Sequence, residues 1–418
     1  MQLSHADPIR SAAFDDPTLV SFAGLVPAVE LARRAGLEQL VREHVTVPGG
    51  AGVAAGAKVS ALVAGMVAGA DSIADMDLLR HGGMGRLFGG VRAPSTLGTF
   101  LRAFAFGHVR QLDAVASRLL AGLSQHAPII ATPSSAPVIV ATRLRKGSAN
   151  SARGAARLVA DAIATSRTAG VAGPMVLRAD SAYYGSEVIA AARRHGVRFS
   201  ITARKDRAIS TAIASIGEDA WTAIHYPHAV FDEQLRQWVS DAEVAEIPFT
   251  AFASRGKARQ VSARLIVRRV RDQNPTHVQR TAQGELFRVW RHHVVFTDSP
   301  LPMLKAERDH RRHAIIEQVI ADLKNSALAH LPSGHFAANS AWLVLAAMAF
   351  NLTRAIGALA SAFHAKAATA TIRRQLIAVA ARVTRSARRS TLRLPTAWPW
   401  ADAWQQLFIA TTGPPHRA

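Results

Sequence analysis

Apolar and polar positions follow three different textures along the chain. From residue 18 to residue 125 the apolar positions recur at helical spacing. That spacing predicts helices over 25–44 and 59–68, another over 73–80 after Asp71-Ser72, and one opening at Pro94. Two small helices before Pro94, across a glycine turn, are compatible with a helix-turn-helix and equally with plain helical packing. The glycine cluster at 82–90 lacks the preceding strand and the spacing of a dinucleotide loop.

Past Ala127 the texture changes. Short apolar runs at 128–132 and 138–141, split by Pro133 to Pro137, read as strand, turn, strand. A helix over 151–168, a strand ending at Asp180, a helix through Val188, Ile189 and Ala192, and a strand over 198–204 follow. Alternation of this kind builds a mixed α/β sheet. Between 205 and 290 a β-rich insertion is expected from Trp221, Tyr226, Val230, Trp238 and the run Val261 to Val270, whose basic residues would line its exposed face. A strand at 291–298 and a helix over 306–325 resume the α/β alternation.

The last third reads as helical, through the apolar segment 341–363 and then 367–385. Asn351 and Arg354 sit at the centre of the apolar segment, where an Arg would be costly in a bilayer, so a buried core helix is the expectation. Arg373, Arg374, Arg382, Arg385, Arg388 and Arg389 give the C-terminal part a basic surface. Trp398, Trp400 and Trp404 close the chain as a packing cluster or as a stacking platform for bases.

Composition sharpens this picture. Hydrophobic residues are 49% of the 418, enough to bury a core. Lys and Arg number 50 against 29 acids, a net charge of +21 that favours a polyanionic partner, nucleic acid first. There is no cysteine, which excludes disulfides and thiolate metal sites and suits the cytoplasm. The N-terminal residues carry no apolar signal core, and the 17 histidines form no zinc-ligand pattern.

Two carboxylates stand in unusual settings. Asp180 follows the run Val176-Leu177-Arg178-Ala179 directly, at the strand end where α/β sheets place ligands, although a helix-capping role explains it equally. Glu317 lies in His310-Arg311-Arg312-His313-Ala314-Ile315-Ile316-Glu317, and helical spacing puts His310, His313, Glu317 and Lys324 along one face. Ile316, Ile320 and Leu323 are the packing stripe beside that face. Carboxylate pairs suit Mg²⁺, and two such ions about 3.5–4 Å apart clamp both oxygens of a phosphoryl transfer.

At these residues the chain resembles the DDE transposases of bacterial insertion sequences. The run Leu177-Arg178-Ala179-Asp180-Ser181-Ala182-Tyr183-Tyr184-Gly185 is similar to that family's second-Asp motif. His310, His313, Glu317 and Lys324 have the spacing of its Tyr-Arg-Glu-Lys signature, with His at the first two positions. The likeness spans residues 20 to 410 and implies a ribonuclease H-like mixed sheet core interrupted by a β-rich insertion, with helical N- and C-terminal regions. The implied segments are 1–126 for DNA binding, 127–204 and 291–364 for the core, 205–290 for the insertion, and 365–418 as a basic tail. Asp180 and Glu317 would hold Mg²⁺ or Mn²⁺. His310, His313, Lys324, Tyr184, Arg143, Arg145 and Lys146 would meet DNA. The partners implied are terminal inverted repeats, target DNA and a second copy of the chain, at the nucleoid and with no membrane.

One departure stands out. The family's first catalytic Asp lies on the leading strand of the core, yet no Asp or Glu occurs between Asp113 and Asp161. Asp113 itself sits in a helical pattern with Val109, Leu112, Val115 and Ala116. The expectation is therefore a core missing its leading strand and one of three carboxylates, with 127–140 as an edge hairpin. Asp298, at its strand end, is the acid that would otherwise complete the set.

Overall fold

The computed structural model describes residues 11–130, 137–150, 152–224, 231–232, 237–238, 242–271, 290–312, 315–387 and 389–413. Two compact units are formed, each from discontinuous segments. The first contains Met1–Leu144, Thr165–Val171 and Val319–Ala418; the second contains Arg145–Ala164 and Ala172–Gln318.

The first unit is mainly helical, preceded by a short strand β1 (Leu19–Val20). The predicted 25–44 helix is two helices, Leu25–Arg34 and Leu37–His44, because Gly36 lies between them at φ 86°, where a side chain is strained. Pro94 opens its helix in the first turn, where the missing N–H is not needed. At the centre runs Phe336–Ala360, 25 residues long. By length and composition it could cross a membrane, but 83% of its most apolar stretch is buried inside the unit. A helix apolar all round belongs in a core. Two of its polar residues find backbone partners. The Asn351 amide accepts from the Ile139 N–H (2.8 Å) and donates to the Ile139 carbonyl (2.7 Å). The Arg354 guanidinium donates to the carbonyls of Ala365 and Ala367.

That Asn351 pairing occupies the backbone expected to form a strand. Residues 137–146 have no regular structure, so the predicted edge hairpin is not formed among the described residues. The turn expected at Pro133 lies outside them.

The second unit holds the large sheet. Its strands are β2 (Val176–Ala179), β3 (Arg198–Thr202), β4 (Thr222–Ile224), β7 (Ala242–Ala251), β8 (Val261–Arg271) and β9 (Trp290–Thr297). A separate two-residue pair, β5 (Phe231–Asp232) and β6 (Gln237–Trp238), lies outside this sheet. The order is β2-β3-β9-β8-β7-β4, with β2 and β3 parallel and every other pair antiparallel. The period of two sorts the side chains. Phe199, Leu265, Val267 and Phe296 fill one face with Val188 and Ile189, while Val244, Ile266 and Val295 fill the other with Ala306. The expected insertion is thus no separate sheet, since β7 and β8 continue the core sheet through β9. Tyr226, Val230 and Val239 lie outside the described residues. β2 forms the edge, paired only to β3 among the described strands.

The C-terminal part corrects the sequence expectation. Over the expected 367–385 helix, α-helix is confined to Thr369–Ile372, a π-type turn follows at Arg373–Ile377, and then come β10 (Ala381–Ser386) and β11 (Arg389–Arg393). β10 pairs with β1 on one side and β11 on the other. Ala- and Arg-rich sequence favours helix, but Ala381 and Val383 are buried at a period of two against β1, so tertiary pairing overrides propensity. The chain ends in the helix Ala401–Thr412, which buries Trp404 and Leu407.

Candidate active site

Asp180 stands immediately after β2, exposed, at the C-terminal end of the edge strand. Its Oδ1 accepts the Ala182 N–H at 2.8 Å and caps the short turn Ser181–Tyr183. The cap fixes the carboxylate's direction through one oxygen. Tyr184 anchors the same turn from behind. Its ring packs on Phe252 (5.1 Å) and edge-on to Phe296 (6.1 Å). Burial, and then the Asp206 charge, push the phenol up to about 12, so it stays protonated. Tyr184, expected at the DNA, is half-buried.

Glu317 lies in the first turn of Ile315–Lys324, exposed, where the helix dipole favours an anion. Lys324 lies in the last turn of that helix, also exposed, where a cation is favoured. The single helix expected over 306–325 is two, Met303–Arg311 and Ile315–Lys324. No residue of the second is buried, and the expected packing residues Ile316 and Ile320 are 52% and 46% exposed. Only Leu323 of that stripe packs against a core.

His310 is corrected as well. It is 4% exposed, with Nδ1 bonded to the Ser200 hydroxyl (2.9 Å) and Nε2 to the Thr202 hydroxyl (3.0 Å). Both ring nitrogens are thus engaged inside the second unit beside β3, out of reach of a phosphate. One turn before it, Glu307 is 3% exposed and pairs with Arg268 (3.2 Å) and Arg311 (2.8 Å). His310 therefore belongs to an interior polar layer and does not share a face with Glu317. His313 lies outside the described residues.

The remaining expected contacts divide. Arg143 stands near Asp113 at 4.0 Å, and Asp113 also pairs with Arg110 at 2.8 Å. The Arg145 guanidinium donates to the Arg153 carbonyl, whereas Lys146 is exposed. Asp298 is spent on architecture: Oδ1 accepts the Phe199 N–H (2.8 Å) and Oδ2 faces Arg193 (3.4 Å). Asp180, Tyr184, His310 and Glu317 all belong to the second unit, while Lys324 and Arg143 belong to the first.

Among the described residues no group of three or more His, Asp or Glu side chains is gathered to hold a metal ion. The donor chemistry of Asp180 and Glu317, exposed carboxylate oxygens, suits Mg²⁺ or Mn²⁺, though not a complete cage. The family described as transposase DDE domain, group 1, matches residues 122–412, more than half of the chain. The chain is a DDE transposase. The matched span takes in every strand from β2 to β11, together with Asp180 and Glu317. A comparison with curated proteins finds no relative that matches this transposase.

The sequence reading missed the centre of the transposase's basic sheet. Arg269 is 6% exposed, clasped by Glu218 (2.7 Å) and Glu243, and stands between the rings of Trp221 (4.2 Å) and Trp290 (4.4 Å). Next to it His292 has a lowered pKa, first through burial and then through the charges of Lys205 and Arg269. Part of the signal was available, since Arg falls on both faces of the run Val261 to Arg271.

Proposed function

We propose that this chain is the transposase of a bacterial insertion sequence. In this reading it binds the element ends as double-stranded DNA, acts as a homodimer at the nucleoid, and performs metal-dependent strand cleavage and transfer by a cut-and-paste route. The observation that carries the reading is an exposed acid at the C-terminal end of a sheet strand, Asp180, with a second exposed acid, Glu317, in the same unit of a DDE family member. The second unit is read as a ribonuclease H-like core whose β insertion has been drawn into its own sheet.

Asp180 and Glu317 would hold Mg²⁺ or Mn²⁺. Such an ion, when bound, polarises a phosphodiester and lowers the pKa of its water. The Asp180 turn contributes orientation, because the Ala182 N–H fixes one oxygen of an exposed carboxylate. The Glu317 helix contributes a charge held at its positive end. Lys324, Lys146 and Arg143 are the cations assigned to phosphate.

This copy is read as impaired. No acid lies between Asp113 and Asp161, and Asp113 and Asp298 both have other partners. Loss of charge neutralisation worth several kcal/mol corresponds to a rate deficit of roughly a thousandfold. The second reading is a DNA-binding remnant that holds element ends without cutting them; it is favoured by the absence of a three-ligand cluster among the described residues. The test is cleavage of element-end DNA in Mn²⁺ by the protein and by a version with a strand-Asp-strand segment inserted before Pro128. Slow cleavage that the insertion accelerates is expected. Equal rates in both overturn the missing-segment account, and a gel shift without cleavage in either establishes the remnant.

A further inference from the structure

The glycine cluster at 82–90 and the C-terminal arginines are joined by one small sheet of the first unit. The Gly83 N–H donates to the Leu19 carbonyl at 2.6 Å, and a Cβ on Gly82 would lie 2.6 Å from that same oxygen. Only glycine lets the loop close on β1 this tightly. The Val383 N–H donates to the Thr18 carbonyl at 2.8 Å, and β10 carries β11 on its far side. The hairpin is thus anchored along one edge, while β11 has no second strand beside it among the described residues.

Register sorts the hairpin into two unlike faces. Val383 stands opposite Leu392, and Ala381 and Val383 are buried, so this face is the packed one. On the other face Arg382 stands opposite Arg393, Thr384 opposite Thr391, and Ser386 opposite Arg389. Guanidiniums and hydroxyls fill that face without a carboxylate among them. Like charges directly opposite each other weaken a ladder, yet Arg382 and Arg393 are placed in this way. Asp16 answers Arg382 at 3.2 Å, whereas Arg389 and Arg393 are exposed and have no ion pair among the described residues.

Such a row of donors calls for an anionic partner that offers acceptors over some length. Arg389 and Arg393 are four residues apart, about 14 Å along a strand, with the exposed Thr391 between them. A single phosphate group is too small to meet both ends. The DNA backbone repeats its phosphates along each strand, and it is contacted by arginines and hydroxyls alike.

We propose that this face of the β10–β11 hairpin is a phosphate-backbone clamp for duplex DNA, with Arg389, Thr391 and Arg393 along one run of phosphates. The clamp positions the duplex and carries no sequence choice, because phosphates are the same in every sequence. It rests on DNA being the partner, and it adds where and by which side chains the backbone is held.

The chain has no cysteine, so one introduced thiol reports one position. Thr391→Cys places it on the clamp face and Ser390→Cys on the opposite face, at neighbouring positions that are both exposed. Each variant is alkylated with iodoacetamide, which is uncharged, alone and with a saturating duplex of element-end or unrelated sequence. Either duplex should suppress alkylation of Thr391→Cys and leave that of Ser390→Cys unchanged. Arg389→Gln combined with Arg393→Gln should weaken both duplexes by the same factor, roughly thirtyfold at physiological salt, from a slope of about 0.9 for each phosphate. Thermal melts that match the parent show that the variants are folded. Equal suppression at both thiols, or at neither while the duplex is bound, overturns the clamp. A loss confined to element-end DNA overturns its sequence-independent role. Suppression at Thr391→Cys by an acidic peptide and not by duplex assigns the face to a protein partner and overturns the proposal. Failure of the parent to bind either duplex overturns the DNA reading itself.

Discussion

Two arginine-bearing strands of this transposase look alike in sequence and behave oppositely in the fold. On β8, Arg264 is held by Glu246 and by the carbonyls of Ser299 (2.6 Å) and Leu301 (2.7 Å). Arg268 pairs with Glu307, and Arg269 with Glu218 and Glu243. On β10 and β11, Arg385, Arg389 and Arg393 face solvent with no such partners among the described residues. The expectation of a basic face on the insertion is therefore narrowed: Arg264, Arg268 and Arg269 of β8 are paired with Glu246, Glu307, Glu218 and Glu243, and the exposed cations Arg255, Lys257 and Arg259 lie in the β7–β8 connection. The net charge of +21 is carried to the surface elsewhere, in part by the C-terminal hairpin.

Within that contrast the largest effect falls on Arg269→Met. It would take from Glu243 its partner and remove the cation held between two tryptophans, costing about 3 kcal/mol in urea unfolding. Arg389→Gln should move the same curve by less than about 0.5 kcal/mol. Equal effects would erase the distinction between the two strands.

His310→Phe should come next. It removes the partner of two hydroxyls, Ser200 and Thr202, at a cost of about 2 kcal/mol, and leaves DNA affinity unchanged. Weaker DNA binding at full stability would return His310 to the phosphate-contacting set.

Salt sharpens the comparison from the DNA side. Replacing Arg389 and Arg393 with Gln should flatten the salt dependence of duplex or strand affinity by about 0.9 for each phosphate no longer neutralised. Arg264→Gln should leave the slope alone. Gel shifts between low and physiological salt measure both, and an identical slope in all three proteins would remove the hairpin from the interface.

The smallest effect is that of pH. Burial lowers the pKa of His364, against a hydrogen bond to the Gln375 amide oxygen, and lowers that of His292 with help from nearby cations. The folded state thus favours the neutral rings, and protonation favours the unfolded chain. Stability from these groups is complete above roughly pH 6.5 and is lost as pH falls through the lowered folded values. Thermal melts from about pH 7.5 to about 5.5, the range in which histidine titrates, should show a decline in Tm. A level profile would contradict the burial of both rings.

Much of the fold was legible. Periodicity placed the N-terminal helices, the β2–helix–β3 unit and the strand Val261–Arg271, because these segments bury one face at a fixed period. Asp180 at its strand end and Phe336–Ala360 as a core helix were legible for the same reason. What was not legible depended on partners far away in the chain. Ala381–Ser386 is a strand only because Leu19–Val20 lies beside it, and Ile139 is drawn from a strand by the Asn351 amide. His310 and Glu317 look equivalent on a helical wheel, yet one is sealed against β3 and the other is exposed. Spacing reports the face of a helix and says nothing of whether the helix continues.

In the proposed function Asp180 and Glu317 are the acids that act on DNA. The most direct test is Mn²⁺-dependent cleavage of element-end DNA by the parent protein, Asp180→Asn and Glu317→Gln at matched duplex affinity. Slow cleavage by the parent, abolished in both variants while DNA binding persists, is the predicted result. Cleavage that continues unchanged in either variant would contradict the assignment and move the chemistry to other residues.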